Sequence, residues 1–175
     1  QNFEELRTYC YKVASAVGLI CIEIFGYEHH SAKEYAIDMG LAMQLTNIIR
    51  DVKEDAMRGR IYIPLEEIEL FGYSESRMLN GVVDDAFRSL MSFQEGRARA
   101  YFKEGMKLLP IIPRDSRTCF KALCGAYILL LDRIAKSGFE LFDNRISLTT
   151  TERLFLIGKL WTEHLLLRGV PFQVK

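Results

Sequence analysis

A chain of 175 residues suits a single domain and is long enough to bury a working core. Its 23 basic and 23 acidic residues cancel, so nothing in the charge balance argues for a nucleic-acid partner. The apolar fraction of 49% is ordinary for a globular protein. Cys10, Cys21, Cys119 and Cys124 lack zinc-ligand spacing and read as small buried residues in a reducing, cytoplasmic compartment. No apolar run reaches about 18 residues, so no transmembrane helix is expected. There is no initiator Met, and the chain opens on the helix-like Gln-Asn-Phe-Glu-Glu-Leu, which fits a C-terminal piece of a longer protein.

Residues 2–25 read as one helix, because Phe3, Leu6, Cys10, Val13, Val17, Ile20 and Ile24 recur at three- and four-residue steps. Ala14, Ser15, Ala16 and Gly18 make part of it slim, which suits either close helix packing or the wall of an apolar tunnel. Gly26 can end this helix. His29 and His30 fall in a surface loop, and Ser31 is a candidate N-cap. A second periodic run, from about Ala32 to Met57, predicts a helix of several turns. Within it Asn47, Asp51 and Asp55 stand at i, i+4 and i+8, and Gln44 extends the row one turn back. Leu45, Ile48, Ile49 and Val52 supply apolar surface on the other sides.

A bare Asp-x-x-Glu-Asp on a helix more often marks a solvated face. Two features favour a cation site instead. A solvent face does not need Gln44 and Asn47 in step with the carboxylates, and carboxylate and amide oxygens suit Mg²⁺. The next segment, Ala56 to Pro64, places Arg58 and Arg60 just past the helix end, and guanidinium forks bind phosphate. A metal row followed by a basic loop is what a diphosphate site needs.

Further along, Pro64 with Glu66 and Glu67 starts a short helix, and Ser74 caps another. A long helix is expected from about Val83 to Leu109, with apolar positions at Phe87, Leu90, Met91, Ala98, Tyr101, Phe102 and Met106. Its Arg97, Arg99, Lys103 and Lys107 read as a solvated face from which one residue could reach a phosphate. Pro110 and Pro113 end it. The next helix runs from about Ser116 to Lys136 and carries Tyr127, with Gly138 just beyond. Residues 139–147 connect it onward. There Arg145 lies among apolar neighbours, where a lone arginine usually takes an anion. Thr149 to Thr151 with Glu152 cap a final helix to about Arg168, whose Trp161 and Leu165 to Leu167 are either core or a membrane-facing patch. The sum is a single all-α domain over residues 1–175.

Three segments, in order, resemble the squalene and phytoene synthase family: Tyr9-Cys10-Tyr11-Lys12-Val13-Ala14-Ser15-Ala16-Val17-Gly18, the row from Gln44 to Asp55, and Tyr127 through Gly138 with Phe142 and Arg145. The run from Val13 to Tyr27 is most similar to the bacterial presqualene diphosphate synthases of hopanoid pathways. The resemblance implies an isoprenoid synthase helical bundle and Mg²⁺-dependent head-to-head joining of two prenyl diphosphates. It assigns metal binding to Asn47, Asp51 and Asp55, catalysis to Tyr9, Asp51 and Asp55, and substrate contacts to Gln44, Arg50, Arg58, Tyr127 and Arg145, with Glu54 orienting a ligand. Farnesyl diphosphate, giving presqualene diphosphate or squalene, is the first substrate reading, and geranylgeranyl diphosphate, giving phytoene, is the second. Use of NADPH stays open. Peripheral membrane contact follows from an oily product. The family's first aspartate-rich motif is missing, since no other aspartate has a carboxylate four positions on, so weak or no turnover is expected of these residues alone. A non-catalytic helical module is the reading from another class.

Overall fold

The computed structural model describes residues 2–143, 145–156, 158 and 162. These residues form helices and turns, with no strand among them. The first is a continuous rod of α1 (Phe3–Cys10), a π-helical turn (Tyr11–Ser15) and α2 (Ala16–Phe25). Asn2 caps it by accepting from the Glu5 amide at 3.0 Å. Gly26, at φ +80, closes it in a conformation that a side chain would strain. The rod is long and apolar enough to cross a membrane by length and composition, contrary to the sequence expectation. That expectation counted unbroken apolar runs, whereas the rod reaches its mean hydropathy across scattered charges. Here it lies along α3 (Ala32–Arg50), the hub of the fold.

Two glycines make α3 a hub. A Cβ on Gly40 would lie 2.5 Å from the Ser15 Cα, so α3 crosses the π-turn backbone to backbone. Ser15 is fully buried there and donates to the Ile37 carbonyl at 2.8 Å. On another side, a Cβ on Gly105 would lie 2.8 Å from the Met39 backbone, which sets how closely α7 (Asp85–Gly105) packs on α3. The slim stretch at Ala14 to Gly18 thus serves close packing at Ser15.

The predicted second helix breaks at Asp51, whose φ of −95 and ψ of 14 leave regular helix, and α4 (Val52–Met57) resumes beyond it. Asp51 N still donates to Asn47 O at 2.8 Å, and Asp55 N to Asp51 O at 2.9 Å, so the polar row keeps its face. The break has a use. Adjacent residues do not face each other on a regular helix, yet Arg50 reaches both carboxylate oxygens of Asp51.

Two short helices follow, α5 (Leu65–Leu70) behind Pro64 and α6 (Glu75–Leu79) capped by Ser74. After α7 a 3₁₀ turn (Met106–Leu108) leads to α8 (Arg114–Lys136). Phe87, Leu90, Met91 and Ala98 of α7 and Leu131 and Ile134 of α8 are fully buried, each worth roughly 1.5–3 kcal/mol for the larger side chains. At Thr149 and Glu152 the expected capping box forms: Thr149 N donates to Glu152 Oε2 at 2.8 Å and Glu152 N to Thr149 Oγ1 at 3.3 Å. Residues 150–156 are helical. Trp161 and Leu165 to Leu167 lie outside the described residues.

Three local expectations change. Ser31 does not cap α3 with its side chain, because its hydroxyl pairs with His29 Nδ1 at 2.9 Å. Arg97 is not on a solvated face: it bonds the buried Glu67, at 3.0 Å from Nη1 to Oε2, and lies 3.8 Å over the Phe3 ring. Cys119 is exposed, whereas Cys10 and Cys124 are buried and burial pushes both thiols up to about 12.

Candidate active site

An apolar cavity of about 340 Å³ lies between the first rod, α3 and α8. The rod contributes Ala14, Val17 and Gly18, and α8 contributes Leu123 and Tyr127. From α3 come Ala36 and Gly40 at i and i+4, then Gln44 at i+8, with Met43 and Asn47 on the neighbouring row. At 1.5 Å per residue this lining follows α3 for roughly 16 Å. Ala14 and Gly18 leave room, so the slim stretch serves packing and cavity together. The cavity is greasy along its length and turns polar where Gln44 and Asn47 enter it.

A second pocket of about 260 Å³ adjoins the first through Tyr127, which lines both. It gathers Arg50, Arg145 and Arg153 with Ser147. Two of these arginines hold Asp51. Arg50 Nε donates to Asp51 Oδ1 at 2.7 Å, and Arg145 Nη2 and Nε donate to the same oxygen at 2.8 and 3.1 Å. Burial opposes ionisation of Asp51 and is the largest single influence. The hydrogen bonds from Arg50 and Arg145 outweigh it together and hold the carboxyl below its usual range. Arg145 thus takes an anion as expected, and in this structure the anion is a carboxylate of the polar row.

Asp55 behaves oppositely. Burial, and the negative charges of Asp51 and Glu54, push its carboxyl up, though Arg58 and Arg60 pull the other way. Those two arginines come from the turn where Arg58 N and Arg60 N both donate to the Asp55 carbonyl, at 3.0 and 2.9 Å. Tyr9 stacks on Tyr62 at 5.2 Å between ring centroids. Burial first, then the hydrogen bond with Tyr62, raise the Tyr9 hydroxyl, with a smaller push from Asp55. Tyr9 therefore keeps its proton and is a donor at neutral pH.

The structure thus groups Gln44, Asn47, Arg50, Asp51, Tyr127 and Arg145 around the two cavities, with Asp55, Arg58 and Tyr9 a turn further along. Tyr62 and Arg153 were not singled out by the sequence. Tyr62 had a signal, since it follows the basic loop directly, but Arg153 had none beyond its charge.

The donor set fits a hard cation in part. It is all oxygen, from carboxylates and an amide. Asn47 Oδ1 and Glu54 Oε2 are buried with no hydrogen-bond partner, which is costly unless something positive meets them. Asn47 spends its amide nitrogen on Gln44 Oε1 at 3.5 Å, which leaves that oxygen turned elsewhere. Among the described residues no three His, Cys, Asp or Glu side chains group closely enough to hold a metal unaided.

The site thus sets an apolar cavity beside an arginine-lined pocket in an all-helical bundle, a shape suited to amphiphiles with anionic heads. Residues 1–152 match the squalene/phytoene synthase family. The chain belongs to that family. It is 40% identical over 173 residues to the 15-cis-phytoene synthase of Synechocystis sp., covering 92% of this chain and 51% of that protein. In shape it is similar to a dehydrosqualene synthase solved in complex with ligand, with TM-score 0.84 and 27% identity over 97% of this chain and 59% of that one. It is also similar to the squalene synthase HpnC from Alicyclobacillus acidocaldarius, with TM-score 0.76 and 27% identity over 79% of this chain and 53% of the other. The fold is that of the isoprenoid synthases, and the chain spans about half the length of the relatives it matches.

Proposed function

We propose that the protein carrying this chain joins two prenyl diphosphates head to head, and that geranylgeranyl diphosphate, giving phytoene, is its substrate. One observation carries the reaction class: an apolar cavity about as long as three turns of α3 adjoins, through Tyr127, a pocket lined by arginines that hold Asp51, which matches a long hydrocarbon tail on a diphosphate. The phytoene synthase names among the 36–40% identical relatives favour the longer substrate. Farnesyl diphosphate, giving presqualene diphosphate or squalene, is the second reading, favoured by the names of the structural neighbours and by the similarity of residues 13–27 to presqualene diphosphate synthases.

Asn47, Asp51 and Asp55 would hold Mg²⁺, whose charge supplies stabilisation of the departing diphosphate. Arg50, Arg58 and Arg145 neutralise the remaining phosphate charge. Tyr9 donates a hydrogen bond from its retained proton. Val17, Gly18 and Met43 keep water from the allylic cation left when the carbon–oxygen bond breaks. The setting proposed is the cytoplasm with peripheral access to a membrane for the oily product. No residue speaks for or against NADPH.

The test is incubation of the full protein with geranylgeranyl or farnesyl diphosphate, with and without Mg²⁺, following diphosphate release and product mass. Mg²⁺-dependent coupling, nearly abolished by Asp51→Ala or Asp55→Ala, is the expected result. Near-normal rates in both variants sink the metal assignment. No coupling of either substrate leaves a non-catalytic helical module as the better reading.

A further inference from the structure

Arg145 sits on the carboxylate that the proposed metal site needs. Two of its nitrogens hold Asp51 Oδ1, and Nε also stands 3.5 Å from Glu54 Oε1. It arrives from the connection after α8, which Lys53 of α4 fastens by donating to the Asp143 carbonyl at 3.0 Å. Yet the Arg145 side chain is 55% exposed, so it has room to turn. It already lines the 260 Å³ pocket together with Arg50 and Arg153, and the Arg153 guanidinium has no carboxylate partner among the described residues.

We propose that Arg145 is a latch: its guanidinium occupies Asp51 while the cation is absent, leaves Asp51 when a divalent cation binds there, and turns wholly to the pocket that it shares with Arg50 and Arg153 to meet the anionic head. This rests on Asp51 being a metal ligand. A guanidinium and a divalent cation need the same Asp51 lone pairs, and their like charges repel at such range. Asn47 Oδ1 and Glu54 Oε2, buried and unpartnered, are the oxygens that a cation would collect once the latch opens. The consequence runs against first intuition. Removing a side chain from the middle of the site makes the cation bind more tightly.

Mn²⁺ titration of the full protein, read by the loss of free-ion electron paramagnetic resonance signal without diphosphate, tests this. The Asp51→Asn variant identifies which binding depends on Asp51. Arg145→Gln is expected to tighten that binding about fivefold, the scale of a partly exposed ion pair, with Arg145→Lys in between. Hydrogen exchange provides a measurement without mutation: Mg²⁺ is expected to speed exchange of the amides around Arg145 in the wild type. Equal or weaker Mn²⁺ affinity in a folded Arg145→Gln, or unchanged exchange on adding Mg²⁺, overturns the latch and leaves the metal reading standing. No Asp51-dependent Mn²⁺ binding in the wild type or in Arg145→Gln overturns both.

Discussion

Asp51 and Asp55 occupy equivalent steps of one row and yet pull stability in opposite directions. Asp51 is held below its ordinary value of 3.8, so its ionised form is the one that folding favours. Its contribution is present above about pH 4 and fades as pH falls through its lowered folded value. Asp55 is raised above 3.8, so the folded state pays for its charge. That cost is absent below 3.8, where both states are protonated, and is complete once pH exceeds the raised value. At pH 7, Asp51→Asn is expected to lower Tm by a few degrees, since it breaks partly buried charge-assisted hydrogen bonds worth about 1 kcal/mol in a protein of this size. Asp55→Asn is expected to raise Tm slightly at pH 7, and the gain disappears when the same melt is run at pH 3.5. Both substitutions are expected to abolish coupling. A stability gain that accompanies loss of function marks a group held in an unfavourable charge state for a ligand. If Asp55→Asn lowers Tm at pH 7, the folded state favours the Asp55 charge and the carboxylate is not held there at a cost.

At the scale of elements, the long range is what the sequence hid. The row Gln44, Asn47, Asp51 and Asp55 was legible because its spacing is the helix period, and the backbone hydrogen bonds donated by Asp55 to Asp51 and by Asp51 to Asn47 preserve it across a break that no periodicity announced. The capping box at Thr149 and Glu152 was legible for the same local reason. Arg97 was misread, because its partner Glu67 lies thirty residues away on α5 and a helical wheel of α7 carries no information about it. That pairing is structural. Glu67 is 6% exposed and also accepts from Gln94 Nε2 at 2.6 Å. Glu67→Ala removes the only carboxylate that Arg97 and Gln94 bond among the described residues and leaves them the 3.2 Å bond from Arg97 Nη1 to Gln94 Oε1, and a loss of about 3 kcal/mol is expected in urea unfolding. A loss near zero would show that Arg97 escapes to solvent. The π-turn was equally hidden, since Ala14 to Gly18 announces small volume and not a change of helix type. Gly40→Ala tests its role. The added Cβ meets the Ser15 backbone, not a movable side-chain end, so α3 must shift. Destabilisation by about 2 kcal/mol is expected from thermal melts, and the Ala36–Gly40 wall of the cavity moves with it.

For the whole molecule, the rod and α3 form a wall with one covered and one open side. Leu6, Cys10 and Ile22 of the rod are buried, whereas Val17, Ile20 and Ile24 are 55%, 60% and 76% exposed. These three lie at i, i+3 and i+7, so they share one face. Val17 also lines the apolar cavity, so the exposed stripe continues the surface proposed to shield the cation from water. Scattered exposed hydrophobes are normal for a folded protein, but a contiguous stripe along a rod is a site of association. The dehydrosqualene synthase that this chain overlays has 41% of its own length outside the overlay, so that fold contains more than the helices described for this chain. The proposed shielding of a cation needs a closed wall, and the exposed stripe leaves this wall open. The 175-residue chain by itself is therefore expected to bind a hydrophobic dye such as anilinonaphthalene sulfonate and to sediment with concentration-dependent association. Val17→Ser with Ile24→Ser should weaken both effects and leave the helical circular dichroism signal intact, because neither side chain is part of the buried core. Strong dye binding that survives the double substitution would place the open surface elsewhere, at the rim around Leu123, which is 49% exposed on the α8 side of the same cavity.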